Sequence, residues 1–262
     1  MPEYVLYEQK GPVAYVTLNR PERMNALGQE VRKGLIDAFC KVRYDPSVRV
    51  AVVTGAGERA FCAGADLKEH KELFDQKPYR VGPDYGALDE PPNSSTIVIE
   101  TYKPVIAAVN GYALAGGCEL ALACDIRIAS ENATFGLPEV KVGRGANFAS
   151  VMLQYVVPRA IAMEMLLTGE PISAKEALRI GLVNRVVALP ELLPTASALA
   201  EKIAQNAPVS LRRIKELSVK ALGTPLFFAL KMAPGPSPYE AADAREGAGA
   251  FAEKRSASWK GE

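Results

Sequence analysis

Two segments of the chain share the same sequence of local patterns, and this repetition limits the folds that the chain can adopt. Each begins with a short apolar run containing β-branched residues, continues into small residues and glycines, and leads into a helical pattern. They cover residues 50–69 and 104–125. Because glycine carries no side chain, both turns leave backbone open to close approach by another group. Both turns are therefore candidate binding sites.

Short β-branched runs alternate with longer amphipathic segments elsewhere, which predicts a sheet covered by helices. The pattern predicts strands over residues 13–18, 50–54, 105–109, 126–129 and 183–187. It predicts helices over residues 31–42, 161–168, 174–180, 192–205 and 210–222, the last with Leu211, Ile214 and Leu217 on one face. Residues 74–95 contain four prolines and a glycine-rich turn, so we predict an irregular surface segment there.

The near-equal numbers of positive and negative residues exclude a strong overall electrostatic field. Lys and Arg number 31 against 30 for Asp and Glu, so no global charge attracts nucleic acid or an anionic membrane. With 262 residues, 48% of them hydrophobic, the chain can bury a large core as one domain or a domain with an appendage. The N-terminus lacks a secretory pattern, and polar residues interrupt the apolar stretch at 105–124. We expect a soluble cytoplasmic protein.

The four cysteines indicate neither a disulfide framework nor a metal site. Cys40, Cys62, Cys118 and Cys124 lie in apolar segments without CxxC or Cys/His spacing. Such a pattern is typical of reduced, buried thiols in a cytoplasmic protein. We therefore expect no bound metal.

Residues 116–124 predict a buried helix that carries one carboxylate. Gly116 and Gly117 open this helix, although glycine is about 1 kcal/mol less favourable than alanine inside one. The N–H groups at a helix start favour negative charge, but tight packing against a strand would explain the glycines equally well. The rest of the helix is apolar, so burying Glu119 without a partner is unfavourable. Glu119 is therefore a candidate catalytic residue.

Residues 55–60, Gly-Ala-Gly-Glu-Arg-Ala, nearly match a dinucleotide-binding fingerprint. An acidic residue, Asp75, follows at about the required spacing, but residues 68–75 are charged and helical in pattern rather than a second strand. The sequence therefore disfavours an NAD site. The single histidine, His70, lies in this charged run, which predicts a solvated side chain and leaves no Ser-His-Asp triad.

Three motifs are specific in combination. They are Phe-Cys-Ala-Gly-Ala-Asp-Leu-Lys-Glu at residues 61–69, Lys-Pro-Val-Ile-Ala-Ala-Val-Asn-Gly-Tyr-Ala-Leu-Ala-Gly-Gly-Cys-Glu-Leu at 103–120, and Phe-Gly-Leu-Pro-Glu at 135–139. Together they resemble the central motifs of the enoyl-CoA hydratase/isomerase (crotonase) superfamily. Flanking segments within residues 19–27, 162–184 and 246–255 extend the resemblance over nearly the whole chain.

The resemblance implies an α/β crotonase (ClpP-like) fold, in which β-β-α units form a spiral of two sheets. It implies that residues 1–195 form this core. Residues 196–262 would then form a helical region that mediates trimer formation and covers the pocket. A homotrimer or a dimer of trimers is the expected assembly.

The resemblance also implies which groups act on the substrate. The backbone N–H groups of Ala65 and Gly116 would grip a thioester carbonyl oxygen, because two preorganised donors stabilise the enolate charge that develops there. Glu119 would hold and deprotonate a water molecule, and Glu139 would protonate C2 as the general acid. Without the resemblance, Glu139 would be interpreted as an ordinary loop carboxylate after Pro138.

Coenzyme A is implied to lie along the first motif. By resemblance, the residues that contact the substrate and its CoA are Ala26, Ala63, Ala65, Asp66, Leu67 and Gly116. The phosphates would need cations, for which Arg23 and Lys254 are candidates, Lys254 by reaching a neighbouring subunit's ligand. A solvated surface position explains either side chain equally well.

The implied reaction adds water to a trans-2-enoyl-CoA, with no cofactor apart from the CoA of the substrate. Two glutamates favour hydration, while Δ3-Δ2 enoyl-CoA isomerisation and a specialised acyl-CoA dehydration remain alternatives. Residues 140–153 depart from the family's pattern, so the acyl group stays open. Some family members bind RNA, but a solvated helix face explains Arg212, Arg213, Lys215 and Lys220 more simply. We expect no nucleic-acid partner.

Overall fold

The computed structural model describes residues 3–69, 71 and 95–261. The irregular segment predicted at residues 74–95 lies outside this part except for its last residue, and His70 lies outside it as well. The strands are β1 (Val5–Lys10), β2 (Val13–Leu18), β3 (Val50–Gly55), β4 (Ala60–Cys62), β5 (Val105–Val109), β6 (Tyr112–Leu114), β7 (Ile126–Ser130), β8 (Thr134–Gly136), β9 (Ile172–Ser173) and β10 (Arg185–Val187).

Helices cover both faces of the larger sheet and make up most of the last third of the chain. They are α1 (Gln29–Tyr44), α2 (Thr96–Glu100), α3 (Gly116–Ala123), α4 (Asn147–Val156), α5 (Arg159–Thr168), α6 (Ala174–Arg179), α7 (Leu192–Ala204), α8 (Pro208–Lys220), α9 (Leu226–Ala229) and α10 (Ala242–Glu253). Short 3-10 helices occur at Pro21–Arg23, Pro138–Val142 and Leu189–Glu191. None of the described helices is long and apolar enough to cross a membrane.

The strands form two sheets in a repeating order. The larger sheet has the order β1-β2-β3-β5-β7-β10, and the smaller has the order β4-β6-β8-β9. Strands pair in parallel except β1 with β2 and β8 with β9. Three consecutive pairs of strands each place their first strand in the larger sheet and their second in the smaller one. The pairs are β3 with β4, β5 with β6, and β7 with β8. This is the α/β spiral expected of a crotonase fold.

Alternate residues of the central strands enter two separate cores. In β3, Ala51 and Val53 belong to a core with α1, whereas Val50 and Val52 pack on the opposite face of the sheet. That second face is covered by α7, whose Ala196 belongs to the same cluster. Because both faces are buried, the strands are apolar without alternation, as the sequence pattern indicated. The predicted boundary between residues 195 and 196 falls within α7, and this division of the chain stays a prediction.

The prediction of a solvated basic face on residues 210–222 is wrong for Lys215. Its side chain is buried, and its Nζ lies 2.9 Å from Asp125 Oδ2 and donates to the carbonyl oxygens of Val98 and Lys103. Ile214, which the sequence pattern grouped with Leu211 and Leu217 on one apolar face, is 68% exposed. The apolar spacing misled because an ion pair, rather than isoleucine, fixes this helix on the core.

Candidate active site

The turn at residues 55–60 sets the position of the first motif. It connects β3 to β4, so it leads into a strand rather than the helix that a dinucleotide site requires. Asn25 Nδ2 donates to the carbonyl oxygens of Ala56 and Ala60, and Asn110 Nδ2 donates to those of Gly55 and Gly57. These bonds satisfy buried carbonyls and hold the turn in one conformation.

The two glycine-rich turns meet beyond β4 and β6. Gly64 has φ +87°, and a Cβ placed on it would lie 2.8 Å from Leu114 O and 3.2 Å from Gly116 N. A Cβ on Gly117 would collide with the carbonyl oxygen of Cys62. Gly64 and Gly117 are therefore required by close backbone packing, which for Gly117 was the alternative explanation from sequence. Ala115, with φ +50° and ψ −127°, holds the sharp bend before α3.

This contact leaves two backbone donors available. Within the described part of the chain, the N–H groups of Ala65 and Gly116 have no hydrogen-bond acceptor. The neighbouring groups are used, since Leu27 N donates to Gly64 O at 2.7 Å and Glu119 N donates to Ala115 O at 3.0 Å. Ala65 and Gly116 line the same cavity. The pair of donors predicted from the sequence therefore lies in one place.

Glu119 lies on the first turn of α3 and is half-buried. Its Oε1 accepts a hydrogen bond from the backbone N–H of Ala149 at 3.0 Å, at the start of α4. Burial raises the pKa of Glu119, although the N–H groups of Ala149 and Phe148 and the charge of Arg32 oppose that rise. The side chain is thus held in orientation by the backbone at the start of α4.

Glu139 lies in the short helix Pro138–Val142 and is 8% exposed. Its Oε2 is buried and has no hydrogen-bond partner among the described residues. Burial raises the pKa of Glu139, and the negative charge of Glu119 raises it further. A carboxyl group with these surroundings keeps its proton to a higher pH than an ordinary glutamate, as a general acid requires.

These groups share a cavity of about 290 Å³. Its lining residues are Arg32, Ala63, Ala65, Leu67, Ala115, Gly116, Glu119, Pro138, Glu139, Lys141, Val142, Arg144 and Gly145. The structure therefore brings together both candidate carboxyls and four of the six predicted substrate and CoA contacts. These four are the two candidate donors, Ala65 and Gly116, together with Ala63 and Leu67.

Four other candidates do not line the cavity. Ala26 is buried beside it in the turn before α1, and Asp66 forms an ion pair of 3.0 Å with Arg20. Arg23 and Lys254 are exposed.

Sequence reasoning missed three cations of the cavity wall, Arg32, Lys141 and Arg144. Arg32 stands next to Val31 on α1, at the edge of the helix's apolar face, so helical spacing does not show which surface it meets. Lys141 and Arg144 lie in the segment that departs from the family pattern. That departure was the feature of the sequence that could have drawn attention to these residues as part of the cavity wall.

Residues 8–262 match the model of the enoyl-CoA hydratase/isomerase family. (E)-Benzylidenesuccinyl-CoA hydratase of Thauera aromatica is 44% identical over 262 residues, which cover 98% of this chain and 99% of that protein. Short-chain-enoyl-CoA hydratase of Clostridium acetobutylicum is 44% identical over 213 residues, covering 81% and 79%. Among solved structures, the enoyl-CoA hydratase of Mycobacterium tuberculosis H37Rv has 37% sequence identity to this chain. The two structures superimpose over 100% of each chain with a TM-score of 0.86.

Proposed function

Because the chain belongs to the enoyl-CoA hydratase/isomerase family, we propose that it adds water across the C2=C3 bond of a trans-2-enoyl-CoA, giving the 3-hydroxyacyl-CoA. One observation carries this proposal. Two carboxyl groups with raised pKa values share a cavity with two backbone N–H groups that lack acceptors. The relatives' names specify hydratases acting on different acyl groups, which supports hydration but leaves the acyl group open.

The backbone donors stabilise charge on the thioester. When a nucleophile adds to C3, electron density moves to the carbonyl oxygen, and the N–H groups of Ala65 and Gly116 donate to that oxygen. They need no rearrangement during the reaction, because neighbouring hydrogen bonds already fix both turns. A single donor of this kind typically contributes a factor of about 10²–10³ in rate.

The two carboxyls handle the protons. Glu119, held by Ala149, orients the water and removes its proton as the oxygen attacks C3. Glu139 supplies a proton to C2, which its raised pKa favours. The negative charge of Glu119 also raises the pKa of Glu139, which favours the ionised base beside the protonated acid. Dehydration of a 3-hydroxyacyl-CoA is the reverse of these steps and uses the same groups.

This chemistry consumes only water and the acyl-CoA, so the proposal includes no metal or redox cofactor. We place CoA along Ala63, Ala65 and Leu67, with Ala26 and Asp66 supporting that wall from behind. A cytoplasmic location and a homotrimer or a dimer of trimers complete the proposal.

The test follows the loss of enoyl-thioester absorbance with crotonyl-CoA. Glu119→Gln and Glu139→Gln should each lower kcat by about 10²-fold or more, the usual range for a lost general acid or base. Binding of the saturated butanoyl-CoA, measured by calorimetry, should change little, because the carboxyls act mainly in the transition state.

Glu164→Gln is the matched control, since Glu164 is exposed on α5 and does not line the cavity. It should retain the wild-type kcat. Unchanged kcat in both cavity variants would refute the two-carboxyl mechanism. Absence of absorbance loss in the wild type would instead favour isomerisation or another acyl group.

A further inference from the structure

Arg32 brings to the cavity a positive charge that the proposed reaction does not use. It lies on the first turn of α1, is half-buried, and lines the cavity with Glu119 and Glu139. Its guanidinium forms no hydrogen bond or ion pair with any residue of the described ranges. A desolvated guanidinium without a bound carboxylate is an unfavourable arrangement.

The nearby carboxylates do not neutralise this group by direct contact. Burial lowers the pKa of Arg32, while the negative charges of Glu119 and Glu69 raise it from a distance. Glu119 accepts its described hydrogen bonds from the backbone of α4 instead. The planar donors of Arg32 therefore remain available to an anion that enters the cavity.

The other two cations of the wall differ from Arg32. Lys141 Nζ is 2.6 Å from Glu170 Oε1, so its charge is already paired at the surface. Arg144 lies near enough to Arg32 to lower the pKa of that group. Arg144 therefore adds positive charge to the wall beside Arg32, which favours an anion in this part of the cavity.

The position of Arg32 places it near the acyl end of the substrate rather than near the CoA phosphates. Arg32 lines the cavity together with Glu119 and Glu139, the proposed base and acid, and the charges of Glu119, Glu69 and Arg144 act on it. In an acyl-CoA, the pantetheine arm separates the thioester from the phosphates. A cation beside the reacting carboxyls therefore lies with the acyl group.

We propose that Arg32 binds a carboxylate carried by the acyl group, so that the preferred substrates are CoA monothioesters of unsaturated dicarboxylic acids. The reaction in this proposal rests on the proposed function, and the choice of acyl group rests on Arg32. The guanidinium matches the planar carboxylate with two parallel hydrogen bonds.

A competing role would have Arg32 only position or ionise Glu119. In that role its removal lowers turnover of every enoyl-CoA by the same factor. Recognition of an acyl carboxylate instead changes the ratio between two substrates that differ only in that group. The ratio is therefore the readout that separates the two roles.

The experiment compares adipoyl-CoA with hexanoyl-CoA, which have acyl chains of equal length and differ in the terminal carboxylate. Neither can be hydrated, so calorimetry measures affinity alone. The wild type should bind adipoyl-CoA at least about tenfold more tightly, as expected for a charge-assisted pair. Arg32→Met should bring that ratio close to one, and Arg32→Lys should leave an intermediate ratio because it keeps the charge without the planar donors.

Lys33→Met is the matched control, since it removes one positive charge from the adjacent, exposed position of α1. It should keep the wild-type ratio. The 2-enoyl thioesters of the same two acids then report kcat/KM, for which the same ratios are expected.

The two proposals fail separately. A wild-type affinity ratio near one, or a ratio that survives Arg32→Met, would overturn the acyl-carboxylate inference even if hexenoyl-CoA is hydrated rapidly. No hydration of either enoyl thioester, with an affinity ratio that Arg32→Met abolishes, would overturn the proposed reaction and retain the inference.

Discussion

At the scale of single residues, the site carries a group that works against the stability of the fold. Glu139 is buried, its Oε2 has no partner among the described residues, and its pKa is raised chiefly by burial. A carboxyl whose pKa is raised in the folded state binds more protons there than in the unfolded chain. Folding is therefore favoured while this group is protonated and loses stability as pH rises from its unfolded pKa through its folded pKa.

Glu139→Gln should consequently raise the free energy of unfolding above that window by about 1 kcal/mol or more, because it removes a desolvated charge. The gain should be smaller at about pH 4, where Glu139 is largely protonated in both states. Denaturant unfolding at about pH 4 and about pH 8 measures the difference.

Glu164→Gln tests whether the effect comes from burial rather than from the loss of one negative charge. Glu164 is exposed, so this variant should change stability by less than about 0.5 kcal/mol at either pH. Equal stability of Glu139→Gln and the wild type at the higher pH would contradict the account of an unfavourable buried carboxylate.

The residues of the site differ in how far sequence could identify them. Glu119 stands out as one carboxylate on an otherwise apolar helix, and the structure places it in the cavity. Glu139 has no such local signal, because its burial depends on contacts that the chain makes only after folding. Arg32 was missed since the amphipathic spacing of α1 fixes its core face and leaves the neighbouring positions undefined.

At the scale of elements, the long apolar strands and amphipathic helices were predictable, whereas the strands that build the site were not. The bounds of β2 and β5 match their prediction, and α1 contains the whole of the helix predicted over residues 31–42. The strands β4, β6 and β8 have three residues each, too few for a periodic pattern to appear. Their pairing depends on partners distant in sequence, so only the assembled spiral defines them.

Gly117 tests the packing between two of these elements. A Cβ there would collide with the carbonyl oxygen of Cys62, at the end of β4. Gly117→Ala should therefore push α3 away from the first motif, lowering stability by about 1–3 kcal/mol. It should also lower kcat for crotonyl-CoA by about 10²-fold or more, because Gly116 supplies one of the two donors.

Gly249→Ala is the control for a glycine inside a helix. It lies in α10, where the nearest atom to an added Cβ is Arg255 Nη2 at 3.9 Å. This variant should gain up to about 1 kcal/mol in stability, since alanine is the better helix former. A Gly117→Ala protein with wild-type stability and kcat would show that the contact between α3 and β4 is not needed for the site.

At the scale of the whole molecule, the C-terminal helices leave apolar surface uncovered. Leu226, Phe227, Phe228 and Leu230 are consecutive or nearly so, and each is at least 63% exposed. Phe251, on α10, is 87% exposed. A contiguous group of large apolar side chains is typical of a surface that another protein covers. The near-neutral net charge of +1 offers little repulsion between copies.

We propose that these side chains form the interface of the homotrimer or dimer of trimers. Sedimentation equilibrium should give a mass of three or six times 28.1 kDa for the wild type. Paired substitution of Phe228→Asp and Leu230→Asp should shift the protein towards smaller species, because burying either carboxylate in an interface is unfavourable. Tyr44→Asp, at an exposed position on α1, should keep the wild-type assembly. A wild-type protein that sediments as a monomer would refute the assembly, and an unchanged mass after the paired substitution would move the interface to another surface.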